Sequence, residues 1–334
     1  EECKRLHKKG VDFYLHKHDD LLKSVPEDMR AESLVILGEV MKGLAKRGMR
    51  EQADTMASSL LEIHHHLFEA REYEEAGGIV IQMVLFLNMQ GLREMAKELL
   101  KKSIDSLESG EKYVAMENLA SLLNDEGKWQ EALDIHQECL EFFRSIDAKS
   151  QMVTTISQQA LIYQERGEYE QALSLEQEGL ALYEEIGNKK GMGIAHYSIA
   201  YLMYWMERYD EAQKHGGKAL ELDKELGNQT GIAKDLYLLG LTLNSLGRPK
   251  DAFEHFSKSL DIAEPIGDKG SQAGSLSEIG KLLLAISRQF GKALDCFQQA
   301  LDIHRELGDP VKVAISLELI GFVFEMQGHY QEAL

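Results

Sequence analysis

Apolar and polar residues follow a helical spacing along most of this chain. In residues 193–206 the apolar positions recur three or four residues apart: Ile194, Tyr197, Ala200, Tyr201 and Tyr204. After Glu207-Arg208, a second segment places its apolar residues on one side of a helix: Tyr209, Ala212, Ala219, Leu220 and Leu222. Such spacing is typical of amphipathic α-helices, so the pattern predicts two helices joined by a short turn.

Residues that end one helix and start the next stand side by side. Gly227 can take the left-handed backbone conformation that favours a helix C-terminus, and Asn228 can cap the helix that follows. Pro249 and Pro310 fall at first helical positions, where a missing N–H breaks no hydrogen bond. The stop-and-start pair recurs three more times: Gly187-Asn188, Gly267-Asp268 and Gly308-Asp309.

A longer period organises these helices. Alanines recur in the frame G-x-[YW]-x-x-A, in which other residues sometimes replace the glycine: Ala96, Ala132, Ala172, Ala212, Ala252, Ala293 and Ala333. The steps between them are 36, 40, 40, 40, 41 and 40 residues. A fixed period of this length indicates an array of one supersecondary unit. The sequence therefore predicts an all-α fold, a right-handed α-solenoid of stacked antiparallel helix pairs.

The repeat resembles the tetratricopeptide repeat. That family has an early apolar residue, a leucine, a small residue and a large apolar residue in the first helix, and an alanine in the second. One repeat matches it with Leu236, Leu239, Gly240, Leu243 and Ala252. The length near 40 residues and the [IL]-G-[ND] junctions resemble the long-repeat variety. In other proteins that variety serves as a polarity adaptor or as part of a signalling protein.

The quality of the repeat divides the chain into two predicted regions. We expect residues 1–71 to hold partial or degenerate helical repeats and residues 72–334 to hold the tetratricopeptide repeat array. The match is strong from about residue 111 onward. The last repeat is cut inside a helix, so we expect the chain to be a fragment of a longer polypeptide.

The charge balance limits the possible partners. The 37 Lys and Arg residues stand against 56 Asp and Glu residues, which gives a net charge of −19. This field repels phosphate backbones and anionic lipids, so we expect no nucleic acid and no membrane among the partners. A protein or peptide of basic and apolar character fits better. The three scattered cysteines and the lack of a signal segment fit a cytoplasmic protein.

Catalytic and metal-binding motifs are not evident. The sequence holds no P-loop, H-E-x-x-H, C-x-x-C or G-x-S-x-G motif. The tract His64-His65-His66 is a poor chelator, because consecutive helical residues point about 100° apart. We expect these histidines to be exposed polar residues and Cys139 to be a packing residue. The sequence thus predicts a protein that is not an enzyme and needs no cofactor or metal.

The family resemblance implies a partner site on the first helices, which line the concave groove of such arrays. Transferred to two neighbouring repeats, the groove positions are Ile194, Tyr197, Tyr201, Tyr204 and Trp205, followed by Lys234, Tyr237, Leu241 and Asn244. Aromatic and amide side chains suit a peptide site, since they give a large contact area and hold a backbone. The alternative is that the tyrosine rings pack on neighbouring helices. The sequence leaves both open.

Two functions follow from these features. The first is a protein-protein interaction scaffold that binds a peptide or partner helix in the groove. The alternative is a sensor or regulatory arm of a larger signalling enzyme whose catalytic domain is not in this chain. A chaperone-tail clamp is disfavoured, because aromatic residues replace most of its basic positions. The oligomeric state is open, since self-association through the terminal repeats is a third possibility.

Overall fold

The computed structural model describes Leu61, His64, His65 and residues 73–89, 92–108 and 110–328. This part of the chain is all-α, as predicted, and contains thirteen helices and no strand. The helices are α1 Tyr73–Met89, α2 Arg93–Ser106, α3 Gly110–Asp125, α4 Trp129–Ser145, α5 Lys149–Glu165, α6 Tyr169–Glu185, α7 Lys189–Trp205, α8 Tyr209–Leu226, α9 Gln229–Ser245, α10 Pro249–Ile266, α11 Lys269–Ser287, α12 Phe290–Leu307 and α13 Pro310–Met326.

Two compact units make up the chain, residues 1–158 and 159–334. In the second unit the main contacts join consecutive helices, and smaller ones join α7 with α9 and α9 with α11. Helices that touch only their near neighbours form a solenoid rather than a domain with one central core. The predicted region 1–71 lies outside the described residues except for Leu61, His64 and His65, and Ala333 lies outside them as well.

The helix ends follow the signals in the sequence. Asn228 accepts a hydrogen bond from the Gly231 N–H at 3.2 Å, and Gly227 takes a left-handed φ of 66°. The shorter turns inside the repeats also need a positive φ. Most of them use glycine, but Glu207 and Arg288 take φ values of 58° and 48° instead. The predicted caps all form: Asn188, Asn228, Asp268 and Asp309 each accept a backbone hydrogen bond.

Small residues let the paired helices approach closely. The predicted second-helix alanines in the described part are almost completely buried: Ala96, Ala132, Ala172, Ala212, Ala252 and Ala293. On the first helices, Gly240 and Gly280 leave room for the fully buried rings of Phe256 and Phe297. A β-carbon at Gly240 would lie 2.5 Å from the Phe256 ring. The repeat therefore alternates small and large residues across each helix pair, which is how close packing is reached.

Candidate functional site

Five of the predicted residues form a stripe along α7 that is exposed at both ends and half-buried in the middle. Ile194 is 54% exposed and Trp205 is 52% exposed, whereas Tyr197, Tyr201 and Tyr204 are half-buried. The Trp205 ring meets the rings of Tyr201 and Tyr204 edge-on, with centroids 6.0 and 5.8 Å apart. The stripe thus has two accessible apolar ends and a middle that is partly used in packing. We call it the α7 stripe.

The next first helix, α9, brings four more of the predicted residues beside the stripe. Lys234 and Asn244 are exposed, while Tyr237 and Leu241 pack against the cluster around Phe256. Burial raises the pKa of Tyr237, and Glu278 and the three stripe tyrosines add to the shift. Helices α7 and α9 contact each other directly. Among the described residues, α7 and α9 therefore bring the predicted groove residues onto neighbouring helices.

A cavity of about 260 Å³ opens between α7 and α9, next to the end of α8. Three predicted residues, Ile194, Tyr197 and Lys234, line it. The rest of the lining was not predicted: Gly193, Asp223, Asn228, Thr230, Gly231 and Asp235. We call this space the Asp223–Asp235 cavity, after the two acidic residues in its wall.

The two aspartates of this cavity are deeply buried. Asp223 is 8% exposed and Asp235 is 1% exposed. The Asn228 side chain donates a hydrogen bond to Asp223 Oδ1 at 2.9 Å, whereas no N–H or hydroxyl of the described residues donates to Asp235 Oδ2. Burial raises the pKa of the Asp235 carboxyl to about 8, and the charge of Asp223 and a hydrogen bond to it add to the shift. Burial likewise raises the pKa of Tyr197 to about 12, with Asp235 as a second cause.

A second cavity, of about 330 Å³, occupies the same place in a repeat of the unit formed by residues 1–158. Each residue in its wall lies 80 positions before a residue in the wall of the Asp223–Asp235 cavity: Val114, Glu117, Phe143, Ser150, Gln151, Thr154 and Thr155. Its acidic residue is satisfied inside the protein. The Thr155 hydroxyl donates to Glu117 Oε1 at 2.9 Å, and His136 Nδ1 lies 3.3 Å from the same oxygen.

Asp223 and Asp235 are not among the predicted site residues, although the register of the repeat contains a signal for one of them. In the five other repeats from residue 110 onward, the positions equivalent to Asp235 hold small, buried residues: Ala115, Thr155, Ala195, Ser275 and Ser316. An aspartate in this column of small residues breaks the pattern. A repeat-by-repeat alignment marks it as an exception. Asp223 gives no such signal, because its equivalents vary widely in size.

A histidine pair, with His196 buried and His215 half-buried, lies between α7 and α8. His196 Nδ1 and His215 Nδ1 are 3.0 Å apart. Burial lowers the pKa of His196 to about 4 and that of His215 in the same direction, and the charge of Lys218 contributes to both. Two histidines without a third ligand do not make a metal site. In the part of the chain that the structure describes, no group of three or more His, Cys, Asp or Glu residues is arranged to hold a metal.

Two further expectations have definite outcomes. Cys139 is completely buried, and burial raises the pKa of its thiol, so its packing role is confirmed. His64 is only 3% exposed, which corrects the expectation of a solvent-exposed histidine. The error arose because the period of the repeat is poor in this region and gave no guide to the buried face. His66 lies outside the described residues.

Comparison with known families settles the identity of the fold. A tetratricopeptide repeat model matches residues 111–185, 191–264 and 271–334. The chain belongs to the tetratricopeptide repeat family. A search of curated proteins finds no significant match. No helix among the described residues is long and apolar enough to cross a membrane.

Several solved tetratricopeptide repeat structures are similar to this one. One is a signal transduction ATPase with numerous domains and a repeat sensor, from Pyrococcus horikoshii, with 16% identity and a TM-score of 0.68; the match covers 100% of this chain and 51% of that protein. Another is apo RapI, with 16% identity and a TM-score of 0.63; the match covers 78% of this chain and 93% of that protein. The apo quorum sensor NprR from B. thuringiensis has 16% identity, a TM-score of 0.62 and coverage of 98% and 95%. At these identities the similarity shows the fold alone.

Proposed function

We propose that this tetratricopeptide repeat protein is an interaction scaffold that binds a peptide or partner helix in a groove along α7 and α9. The observation that carries the proposal is the α7 stripe, which exposes Ile194 and Trp205 on either side of half-buried tyrosines. Exposed large apolar side chains on one helix face favour binding, because they gain from removal from water. Lys234 and Asn244 on α9 supply polar groups beside them.

The chemistry of the partner follows from charge. With a net charge of −19, the protein attracts basic segments and repels nucleic acid and anionic membranes. The apolar ends of the stripe add a preference for large apolar side chains. We therefore propose a partner segment that combines both characters. We also propose that the protein is not an enzyme and acts in the cytoplasm, which is consistent with the free thiols of Cys139 and Cys296.

The test is a capture experiment from lysate of the producing organism with three forms of the protein. The first is wild type and the second is Ile194→Ala/Trp205→Ala, which removes the two exposed ends of the stripe. The third is Ile266→Ala/Leu307→Ala, a matched control that removes two similarly exposed apolar residues from α10 and α12. Circular dichroism of all three forms verifies that the helices are retained.

We expect wild type and the control variant to retain a common protein that the stripe variant loses. The interaction is then measured with the purified partner, and hot-spot truncations of this kind weaken binding by about tenfold or more. If all three forms retain the same proteins with the same affinity, the stripe is not the binding site and the proposal fails.

A second proposal is a sensor or regulatory arm of a larger signalling protein. It is supported by the similarity to an ATPase that carries a tetratricopeptide repeat sensor, of which this chain spans 51%. In this case the groove binds an effector, and the binding changes the activity of an attached domain. The stripe variant in the full-length protein should then uncouple effector and activity. An activity response identical to wild type would contradict this second function.

A further inference from the structure

The column of the repeat that contains Asp235 shows that an acidic residue is not needed there for folding. Its equivalents in the unit 159–334 are Ala195, Ser275 and Ser316, all buried. The two serines have partners within the protein. Ser275 Oγ lies 3.1 Å from Ser259 Oγ, and Ser316 Oγ lies 2.9 Å from His304 Nδ1. Asp235 alone in this column carries a side chain that can be charged, and its Oδ2 accepts no hydrogen bond from an N–H or hydroxyl of the described residues, although the carboxyl pairs with that of Asp223.

The residue near the end of the preceding second helix decides the chemistry of the cavity wall. In the preceding repeat the ring of Tyr183 packs directly over Gly191. Forty residues later, Asp223 takes the place of Tyr183 and Gly231 takes the place of Gly191. A cavity also opens at the equivalent place around Phe143, so the exchange changes the chemistry of the wall rather than creating the space. In the space of about 260 Å³ it places two carboxyl groups in the wall.

Among the described residues, no lysine or arginine neutralises this pair. Asp235 forms no ion pair with a lysine or arginine anywhere in the described residues, and Lys234 at the edge of the cavity is exposed. The other ionisable groups near the cavity are Tyr197 on α7 and Asp268 at the start of α11. Asp268 is already bound to the N–H and hydroxyl of Ser271. Among these groups, Asp223 is the one whose charge acts on Asp235.

We propose that the Asp223–Asp235 cavity binds a cationic side chain, lysine or arginine, of the peptide segment that occupies the groove. This inference rests on the proposed function and identifies a lysine or arginine as the residue of the partner that the cavity recognises. The cation enters between the two carboxyl groups, where no N–H or hydroxyl of the described residues donates to Asp235 Oδ2. The neighbouring residue of the segment then reaches the exposed Ile194 at the edge of the cavity. An ammonium or guanidinium group suits the site because charge-assisted hydrogen bonds to carboxylates are stronger than neutral ones.

Proton release accompanies this binding. Burial and the Asp223 carboxylate raise the pKa of Asp235 to about 8, so Asp235 is largely protonated in the empty cavity at pH 7. An entering cation favours the carboxylate and expels the proton to solvent. Linkage then strengthens the affinity as pH rises, by up to about tenfold per unit below pH 8, and the effect levels off above it.

The cavity is tested with small probes, so that no natural partner is required. The probes are the N-acetyl methylamides of arginine and lysine, and the N-acetyl methylamide of citrulline serves as a neutral control of the same shape as arginine. Carboxyl carbon NMR of 13C-labelled protein follows the Asp235 resonance as each probe is added. Calorimetry in two buffers with different ionisation enthalpies counts the protons released.

Two variants accompany wild type. Asp235→Ser introduces the residue that the repeat uses at positions 275 and 316, so it is compatible with the fold. Asp261→Asn removes one negative charge from an exposed position on α10. We expect at least one cationic probe to shift the Asp235 resonance and release close to one proton at pH 7. Asp235→Ser should weaken its binding by roughly tenfold or more, while Asp261→Asn and the citrulline control should show no specific effect.

The proposal is overturned if neither cationic probe shifts the Asp235 resonance, or if Asp235→Ser binds the probes as well as wild type. In that event the two aspartates only share a proton in the wall of the cavity. Such a failure leaves the proposed function standing if partner capture still depends on Ile194 and Trp205. The converse result is that the probes bind while the Ile194→Ala/Trp205→Ala variant captures the same proteins as wild type. That result contradicts the proposed function and the assignment of the cation to a groove peptide.

Discussion

The carboxylate of Asp223 occupies the space that a β-carbon at residue 231 would need. Gly231 also donates its N–H to the cap residue Asn228, which in turn donates to Asp223. The end of α8, the cap and the first turn of α9 thus form one packed group. In the preceding repeat the Tyr183 ring covers Gly191 in the same way. Glycine at this register makes room for a side chain from the preceding second helix.

Gly231→Ala should therefore destabilise the unit 159–334. The added methyl group displaces the Asp223 carboxylate and crowds the Asn228 amide, which lies 2.5 Å from the β-carbon position. Overpacking of this kind costs about 1–3 kcal/mol. Urea unfolding followed by Trp205 fluorescence in a Trp129→Phe background measures the loss.

Gly217→Ala on α8 is the matched control for this substitution. No atom lies within 4 Å of its β-carbon position, so only the helix preference for alanine acts. We expect a gain of about 0.5–1 kcal/mol. Equal stability of Gly231→Ala and wild type would refute the packing argument.

Removal of the caps should reveal the second role of Asn228. Asn188→Ala deletes a cap on Gly191 and should cost about 1 kcal/mol. Asn228→Ala deletes the equivalent cap and also the hydrogen bond to the buried Asp223, so it should cost about 1 kcal/mol more. Parallel urea titrations compare the two variants. If they lose the same free energy of unfolding, the bond from Asn228 to Asp223 contributes nothing.

The folded protein should lose stability as pH rises because of Asp235. Its pKa is raised from the usual value of 3.8 to about 8, so the folded state holds the proton more tightly. The contribution of Asp235 is full below pH 4 and is lost as pH rises toward 8. Relative to wild type, Asp235→Ser should gain stability between pH 5 and 8, by up to about 1.4 kcal/mol per pH unit. Urea titrations at four pH values test this, and a constant difference would contradict it.

The histidine pair should make the folded protein less stable as pH falls, which is the opposite of the effect of Asp235. Burial lowers the pKa of His196 from 6.5 to about 4, and Lys218 opposes its protonation, as it does that of His215. Glu211 favours the charged form of His215 only as a smaller effect. The stability contribution of His196 is present above pH 6.5 and is lost as pH falls toward 4.

His196→Gln removes this titration and should therefore lessen the acid sensitivity of the protein. Comparison with wild type at each pH cancels the contributions of other groups, including Asp235. We expect the stability difference to shift in favour of the variant by up to about 1.4 kcal/mol per pH unit between pH 6 and 4.5. A difference that does not change with pH would show that the pair does not titrate as argued.

Local signals predicted most of the fold. The capping residues Asn188, Asn228, Asp268 and Asp309 all accept the expected backbone hydrogen bonds. Caps, turns and helical spacing depend on residues that are close in sequence, so the sequence alone predicts them. The period of the repeat also predicted how the helix pairs pack, because each repeat contacts chiefly its neighbours. The right-handed sense of the solenoid and the boundary at residue 72 stay predictions.

The site was less accessible to sequence reasoning. Counting along the repeat selected Ile194, Tyr197 and Lys234 as groove residues, and the structure places them in the wall of one cavity. The counting did not separate exposed from packed positions. It treated Tyr201 and Trp205 alike, although only Trp205 is largely exposed. Exposure depends on which neighbouring rings cover a side chain, and a single helix does not determine that.

The sequence by itself determined the helices, their caps, the repeat and the family, because these depend on contacts that recur at a fixed spacing. Only the tertiary structure decided the chemistry between the repeats. Asp223 and Asp235 come from different helices, and their meeting depends on the small size of Gly193 and Gly231 around them. The burial that shifts the pKa of Asp235 belongs to the assembled helices and to no segment alone.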